Sequence, residues 1–351
     1  MTVPKSMNAA LLHAASDIRT ESIPVPDLQA GMVLLRIRRV GICGSDLHYY
    51  AHGRCGAFVP DRPFVMGHEL SAEIAALGDG VDSLEIGQRV TINPARSCGR
   101  CHDCKTGRPN LCRNLIMLGS ASTTPPTNGA MAEYVVTRAD QCHVLPSDFD
   151  DGLAAMMEPF AVALHAVKRA KQVAGKRVLV TGAGTIGLLT ALAARAYGAT
   201  LVAVSDVVES RLEKALSLGA DVTLNPASAS FAEDVLDVAA EGFDLILEAS
   251  GAPQALRQCF DLIRTGGTIV QIGTLGSDDI PLPANQVMVK EISFIGSMRY
   301  GDVFDEAIEL VAAGRVDLQP FITKVFPFDH AAEAMEAAAD KSNALKIQIE
   351  F

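Results

Sequence analysis

The chain has 351 residues, 49% hydrophobic and 20% charged, with a formal net charge of −11. That profile excludes a disordered chain, and an acidic balance without a basic block argues against nucleic acid and anionic membrane surfaces as partners. At roughly 100–200 residues per domain, the length predicts about two domains.

The chain holds no Trp and only 5% aromatics, so the core must be largely aliphatic. No apolar stretch approaches the about 20 residues of a membrane span. Residues 1–16 lack both an apolar signal region and a small-residue cleavage site, so the expected location is cytoplasmic. In that compartment the eight cysteines stay reduced, and clustered ones more often hold metal.

Taken in chain order, residues up to about Pro146 show short β-like runs, such as 33–37 and 89–92, broken by Gly and Pro. This predicts an irregular β-rich domain. After about Glu158 aliphatic strands alternate with helices. Residues 177–181 read as a buried strand, 184–197 as an Ala/Leu-rich helix ended by Gly198, and 201–205 as the next strand. A helix over 209–218 stops at Gly219. Strands follow at 243–247 and 268–272, with a helix over 253–264 between them. Continuous aliphatic strands alternating with helices predict a parallel sheet covered on both faces. Past Ser297 the pattern runs helix, strand, helix, strand and ends in the alternating 345–349. Periodicity does not decide which domain this tail joins.

Gly182-Ala183-Gly184-Thr185-Ile186-Gly187 is a G-x-G-x-x-G that follows a buried strand and opens a helix, with Asp206 at the end of the next strand. In that context it predicts a dinucleotide site. Gly182 permits the tight turn, Gly184 the approach of a pyrophosphate, and Gly187 close packing of helix on strand. The helix N-terminus, starting at Thr185 and Ile186, offers unpaired N–H groups to the anion. Asp206 suits the ribose hydroxyls and would repel a 2′-phosphate, so NAD is expected over NADP. Arg211, one turn into the following helix, could soften that preference. Gly273, after the 268–272 strand, joins the candidate cofactor residues.

Cys98, Cys101, Cys104 and Cys112 place four thiols within fifteen residues. Such a loop suits a closed tetrahedral zinc site, with an iron–sulfur cluster or unrelated buried cysteines as the alternatives. A scattered second set comprises Cys43 in Gly-Ile-Cys-Gly-Ser-Asp, the Gly67-His68-Glu69 triplet and Glu158-Pro159. Each alone reads as packing or capping. Beside a nicotinamide site and a closed metal site they read as ligands.

These motifs together resemble the zinc-dependent medium-chain alcohol/polyol dehydrogenases over essentially the whole chain. The resemblance implies an α/β fold: a GroES-like β-rich catalytic domain over 1–157 with a zinc lobe at about 96–113, and a Rossmann doubly wound parallel-sheet domain over 158–296. It also implies a return of 297–351 to the catalytic domain. It implies two Zn2+ per chain, one catalytic on Cys43, His68 and Glu158 with Glu69 beside it as an exchanging ligand or through a water, and one structural on the four cysteines. NAD is the implied dinucleotide, with NADP possible.

Ser45 and His48 are candidates for the proton relay, Tyr49 for the substrate pocket, and Arg299 for a substrate carboxylate, which a fork of donors matches bidentately. Short segments, Ile92-Asn93-Pro94 and Leu118-Gly119-Ser120-Ala121 among them, are similar to L-idonate 5-dehydrogenases. The expected reaction is therefore oxidation of L-idonate to 5-keto-D-gluconate. The alternative is a neutral-polyol enzyme acting on sorbitol, L-iditol or xylitol, and a remote one is a non-catalytic zinc- and NAD-binding protein. Expected partners are a small sugar acid or polyol and further copies of the chain, as a dimer or tetramer.

Overall fold

Aliphatic runs with no polar member are buried on both faces, and the computed structural model, which describes residues 3–340 and 344–351, stacks them into one parallel sheet. The chain divides into two units, one of residues 1–158 and 304–351 and one of 159–303.

In the second unit six strands pair side by side in the order Val222–Leu224, Leu201–Ser205, Arg177–Thr181, Phe243–Glu248, Ile263–Gln271, Ser293–Gly296, all parallel. Strand order reverses between Arg177–Thr181 and Phe243–Glu248, which is the switch point where doubly wound sheets receive ligands at their carboxyl ends. Val178, Leu179 and Val180 are fully buried, as are Leu245, Ile246 and Leu247. The connecting helices end as glycine signals require: Gly198 and Gly219, just past Thr185–Ala196 and Glu209–Ser217, take φ of +85° and +95°. The three-residue strand Val222–Leu224 and the helix Phe231–Ala239 were not read from the sequence.

The first unit is β-rich and largely antiparallel. Met32–Gly41 is its central strand, pairing with Glu69–Leu77, Tyr134–Arg138 and the C-terminal strand Lys346–Glu350. The tail therefore joins this sheet. The register sets Gly41 opposite both Glu69 and Gln348, so three strands separated widely in sequence meet at one point. Gly41 is required there, because a Cβ on it would lie 2.3 Å from Glu69 Oε2. The core around this point is aliphatic, with Val33, Leu35, Val40, Val65, Ala72, Ile74 and Ile349 fully buried. Among the described residues no helix is long and apolar enough to cross a membrane. The GroES-like β-rich domain and the Rossmann parallel-sheet domain are both present, as the fold reading expected.

Candidate metal and dinucleotide sites

Cys43 ends the central strand's loop and is the N-cap of the helix Gly44–His52. Its sulfur therefore sits at a helix N-terminus, where backbone N–H groups lack helical partners. Glu69 opens the neighbouring strand, and His68 precedes it in the loop. Ligand atoms of Cys43, His68 and Glu69 lie within 4.8 Å of one another. His68 and Glu69 are only 5% and 1% exposed.

Asp46, a residue to which the sequence reading gave no role, ties the two loops together. It is fully buried. Its Oδ2 accepts from Cys43 N at 3.0 Å and its Oδ1 from Gly67 N at 3.2 Å. His68 Nδ1 lies 3.9 Å from Asp46 Oδ1 and has no hydrogen-bond partner among the described residues. Burial alone would lower the His68 pKa. The negative groups Cys43, Asp46 and Glu158 outweigh it and hold the imidazole well above its usual range. A soft sulfur, an imidazole and carboxylates converging in a buried place are a donor set that fits a divalent cation such as zinc, whose charge would take the place of the proton that these anions favour on the imidazole.

Glu158 lies outside the close trio. It is 5% exposed in the first turn of Met157–Arg169, near enough for its charge to act on His68 and Lys346. Of the two carboxylates expected at this site, Glu69 belongs to the close trio and Glu158 does not. Glu69 is also already engaged: Lys346 Nζ donates to its Oε1 at 2.7 Å and its Oε2 at 2.5 Å, and to Ile42 O at 3.1 Å. Lys346 is 4% exposed, and although burial lowers its pKa, Glu69, Cys43 and Glu158 raise it above the usual lysine value.

The sequence reading missed this lysine because 345–349 alternates like a half-exposed strand. In fact Lys346, Ile347, Gln348 and Ile349 are all buried. No sequence signal marks it, because its burial follows from the pairing of this strand with Met32–Gly41.

Ser45 is half-buried one position into the helix, and His48 is exposed, its ring 5.9 Å from that of His52. Tyr49 departs from expectation. It and Asp46 form the inward face of the helix, and Tyr49 is 2% exposed, edge-on to Phe64 at 5.2 Å. Its hydroxyl accepts from Ala121 N at 3.0 Å and lies 3.4 Å from Ser120 Oγ, so it braces the helix rather than lining an open pocket.

Cys98, Cys101, Cys104 and Cys112 bring their sulfurs within 4.8 Å of one another, and none is in a disulfide. Backbone N–H groups of Arg100 and Cys101 lower the Cys98 thiol to about 6, as a thiolate ligand requires. Four converging thiols fit a closed structural metal site.

In the second unit Gly182 takes φ +89°, and a Cβ on Gly187 would fall 1.8 Å from Gly182 O, so the helix sits as close to the turn as glycine allows. Gly184 is different. Nothing lies within 4 Å of where its Cβ would be. The chain itself does not demand glycine there, whereas a phosphate approaching the N-terminus of Thr185–Ala196 would. Thr185 and Ile186 form the first turn of that helix.

Asp206 accepts from Ala183 N at 2.8 Å and Val208 N at 2.9 Å, and Arg211 Nη1 approaches it at 3.6 Å. The acid therefore fixes the glycine turn. Gly273 spends its N–H on Glu248 O at 2.9 Å. Arg299 is half-buried with φ +52°, a left-handed conformation unusual for a non-glycine residue.

Residues 29–147 match the alcohol dehydrogenase GroES-like domain and residues 185–313 the zinc-binding dehydrogenase domain. The chain is 37% identical over 350 residues to a sorbitol dehydrogenase of Bacillus subtilis, covering 99% of this chain and 98% of that one. It is similar in structure to an L-idonate 5-dehydrogenase from Escherichia coli K-12, with TM-score 0.92, 33% identity, and 99% and 98% of the two chains covered. It also resembles a short chain alcohol dehydrogenase from Escherichia coli CFT073 solved with NADH, with TM-score 0.92, 30% identity, and 99% and 100% covered.

Proposed function

Because the chain belongs to the zinc-dependent medium-chain alcohol/polyol dehydrogenases, we propose that it catalyses NAD(P)-linked oxidation of a secondary alcohol on a sugar-derived substrate. The observation that carries this reading is the buried trio Cys43, His68 and Glu69, backed by Asp46. Cys43 and His68, with Glu158 or Glu69, would hold a zinc ion that would supply a Lewis acid for the substrate oxygen, and a bound dinucleotide would supply the hydride acceptor.

The chain's own residues do the rest. Asp46 sets the spacing of the Cys43 and His68 loops, and Lys346 holds the Glu69 carboxylate. Ser45 relays the hydroxyl proton to the exposed His48, which passes it to solvent. Cys98, Cys101, Cys104 and Cys112 hold a second, structural zinc. Asp206 favours NAD by repelling a 2′-phosphate, and Arg211 tempers that preference. Copies of the chain associate as dimers or tetramers in the cytoplasm.

Two substrate readings are supported by different observations. Oxidation of L-idonate to 5-keto-D-gluconate is supported by the half-buried Arg299, whose guanidinium suits a carboxylate, and by the structural likeness to an L-idonate 5-dehydrogenase. Oxidation of sorbitol, L-iditol or xylitol is supported by the sequence likeness to a sorbitol dehydrogenase. A panel of these substrates with NAD and with NADP, run alongside zinc content per chain, tests the proposal. Reduction of NAD with L-idonate ahead of the polyols selects the first reading, and the reverse selects the second. No reduction of either dinucleotide by any substrate in zinc-replete protein would overturn both.

A further inference from the structure

At the carboxyl end of the parallel sheet, three loops are pressed backbone to backbone. A Cβ on Gly182 would lie 2.7 Å from Ser250 Cα, one on Gly251 2.6 Å from Thr274 O, and one on Gly273 2.3 Å from Gly251 N. These loops leave Arg177–Thr181, Phe243–Glu248 and Ile263–Gln271, two of which flank the switch point.

A single side chain ties them together. Glu248 is fully buried, and its Oε1 accepts from Ser250 Oγ at 2.5 Å, Ser250 N at 2.9 Å, Gly251 N at 3.0 Å and Thr181 Oγ1 at 3.4 Å. Its main-chain oxygen accepts from Ile272 N at 2.8 Å and Gly273 N at 2.9 Å. Glu248 thus bonds the residue preceding the Gly182 turn, the loop after its own strand and the loop after the next. Its Oε2 faces Gly273, 2.8 Å from where that residue's Cβ would stand, and has no hydrogen-bond partner among the described residues.

We propose that Glu248 is a positioning residue for the dinucleotide: by gathering donors from adjoining loops onto one carboxylate oxygen, it holds the floor on which the cofactor rests. The inference builds on the proposed dehydrogenase function. A buried carboxylate is a costly way to join loops that apolar packing could join, and it repays that cost where loop placement must be held within fractions of an ångström. Because only Oε1 collects donors, a glutamine can keep the arrangement: its amide oxygen replaces Oε1, and its nitrogen lies where no donor is lost. An alanine abandons every side-chain bond.

The test measures NADH binding by calorimetry and by NADH fluorescence on zinc-loaded protein, with thermal midpoints and steady-state kinetics beside it. Glu248→Ala is expected to raise the Kd for NADH and the KM for the dinucleotide at least about tenfold, with kcat at saturation within about twofold, while Glu248→Gln stays within about threefold of the parent throughout. If Glu248→Ala lowers the midpoint but leaves the Kd unchanged, or if Glu248→Gln fails as badly as alanine, the inference falls. Should Glu248→Ala not fold, Ser250→Ala carries the test: removing the 2.5 Å donor should raise the Kd about threefold, and an unchanged Kd overturns the inference. A parent protein that binds neither NADH nor NADPH would remove the proposed function along with it, whereas a parent that binds and a variant that binds equally removes the inference alone.

Discussion

Replacing Lys346 with Met removes one half of an ion pair whose members are 4% and 1% exposed. Glu69 then keeps its carboxylate in a place water does not reach, stripped of donors at 2.7 and 2.5 Å. Breaking a buried pair by deleting one partner costs about 3–5 kcal/mol, because the remaining charge is uncompensated. The unit that contains the pair has about 200 residues, for which each kcal/mol lowers the midpoint by about 2–4 °C, so Lys346→Met should lower it by about 6–20 °C. Removing both charges with Lys346→Met and Glu69→Leu should recover most of that loss, since an apolar replacement of a buried pair is often neutral.

Urea and thermal unfolding of the two singles and the double, with and without zinc, complete the cycle. The zinc-loaded single should also lose turnover while keeping its metal, because a released Glu69 carboxylate lies within 4.8 Å of the Cys43 and His68 ligand atoms and competes for the position the substrate needs. A Lys346→Met protein within about 1 kcal/mol of the parent would refute the reasoning, for it would mean that Glu69 finds water or a proton at little cost.

Four further outcomes are expected. Cys101→Ser should release about one metal equivalent per chain and destabilise the lobe, with ligand count read by metal analysis; full retention of metal would count against a four-thiolate site. Asp244 accepts from Arg177 N and Arg264 Nε, which, against the opposing effect of burial, hold its carboxyl below the ordinary range. Asp244→Asn should therefore cost about 1–3 kcal/mol at pH 7, and the difference from the parent should vanish as pH falls below the native carboxyl's lowered pKa, as measured by urea midpoints across pH; a gap unchanged in acid would sink this account. Gly187→Ala places a methyl 1.8 Å from Gly182 O and should weaken NADH binding at least about tenfold; parent-like affinity would show that the turn yields freely. Arg299→Ala should raise the KM for L-idonate far more than for sorbitol, and equal effects on the two would remove the carboxylate role.

Much of the second unit was legible because its parallel strands carry uninterrupted aliphatic centres at 178–180, 202–204 and 245–247, and because glycine marks helix ends and the phosphate turn. Its least visible parts were Val222–Leu224, too short for any period to register, and the helix Phe231–Ala239 that follows it. In the first unit the four cysteines and the pieces Cys43, His68 and Glu69 could be picked out by residue type, yet their convergence depends on strand register, which pattern reading does not supply. Lys346 shows the limit most sharply. Alternation of Lys, Ile, Gln and Ile reads as one wet face and one dry, and only the placement of Glu69 across Gly41 makes a dry face hospitable to an ammonium. Tyr49 could be picked out as a residue near Cys43, but that its ring turns inward beside Asp46 follows from the helix Gly44–His52, which the sequence pattern does not show.

The joining of Gly41, Glu69 and Lys346 also has a bearing on biosynthesis. Glu69 and its ammonium partner are 277 positions apart. Domains tend to fold as the chain emerges, N-terminal parts first. Here the first sheet must wait, its buried acid uncompensated, until the inserted unit and the closing strand have been made. A chain that stopped before Lys346 would hold Cys43, His68 and Glu69 and still lack the ammonium that neutralises the buried acid, so this corner of the sheet closes only once the strand Lys346–Glu350 has been added.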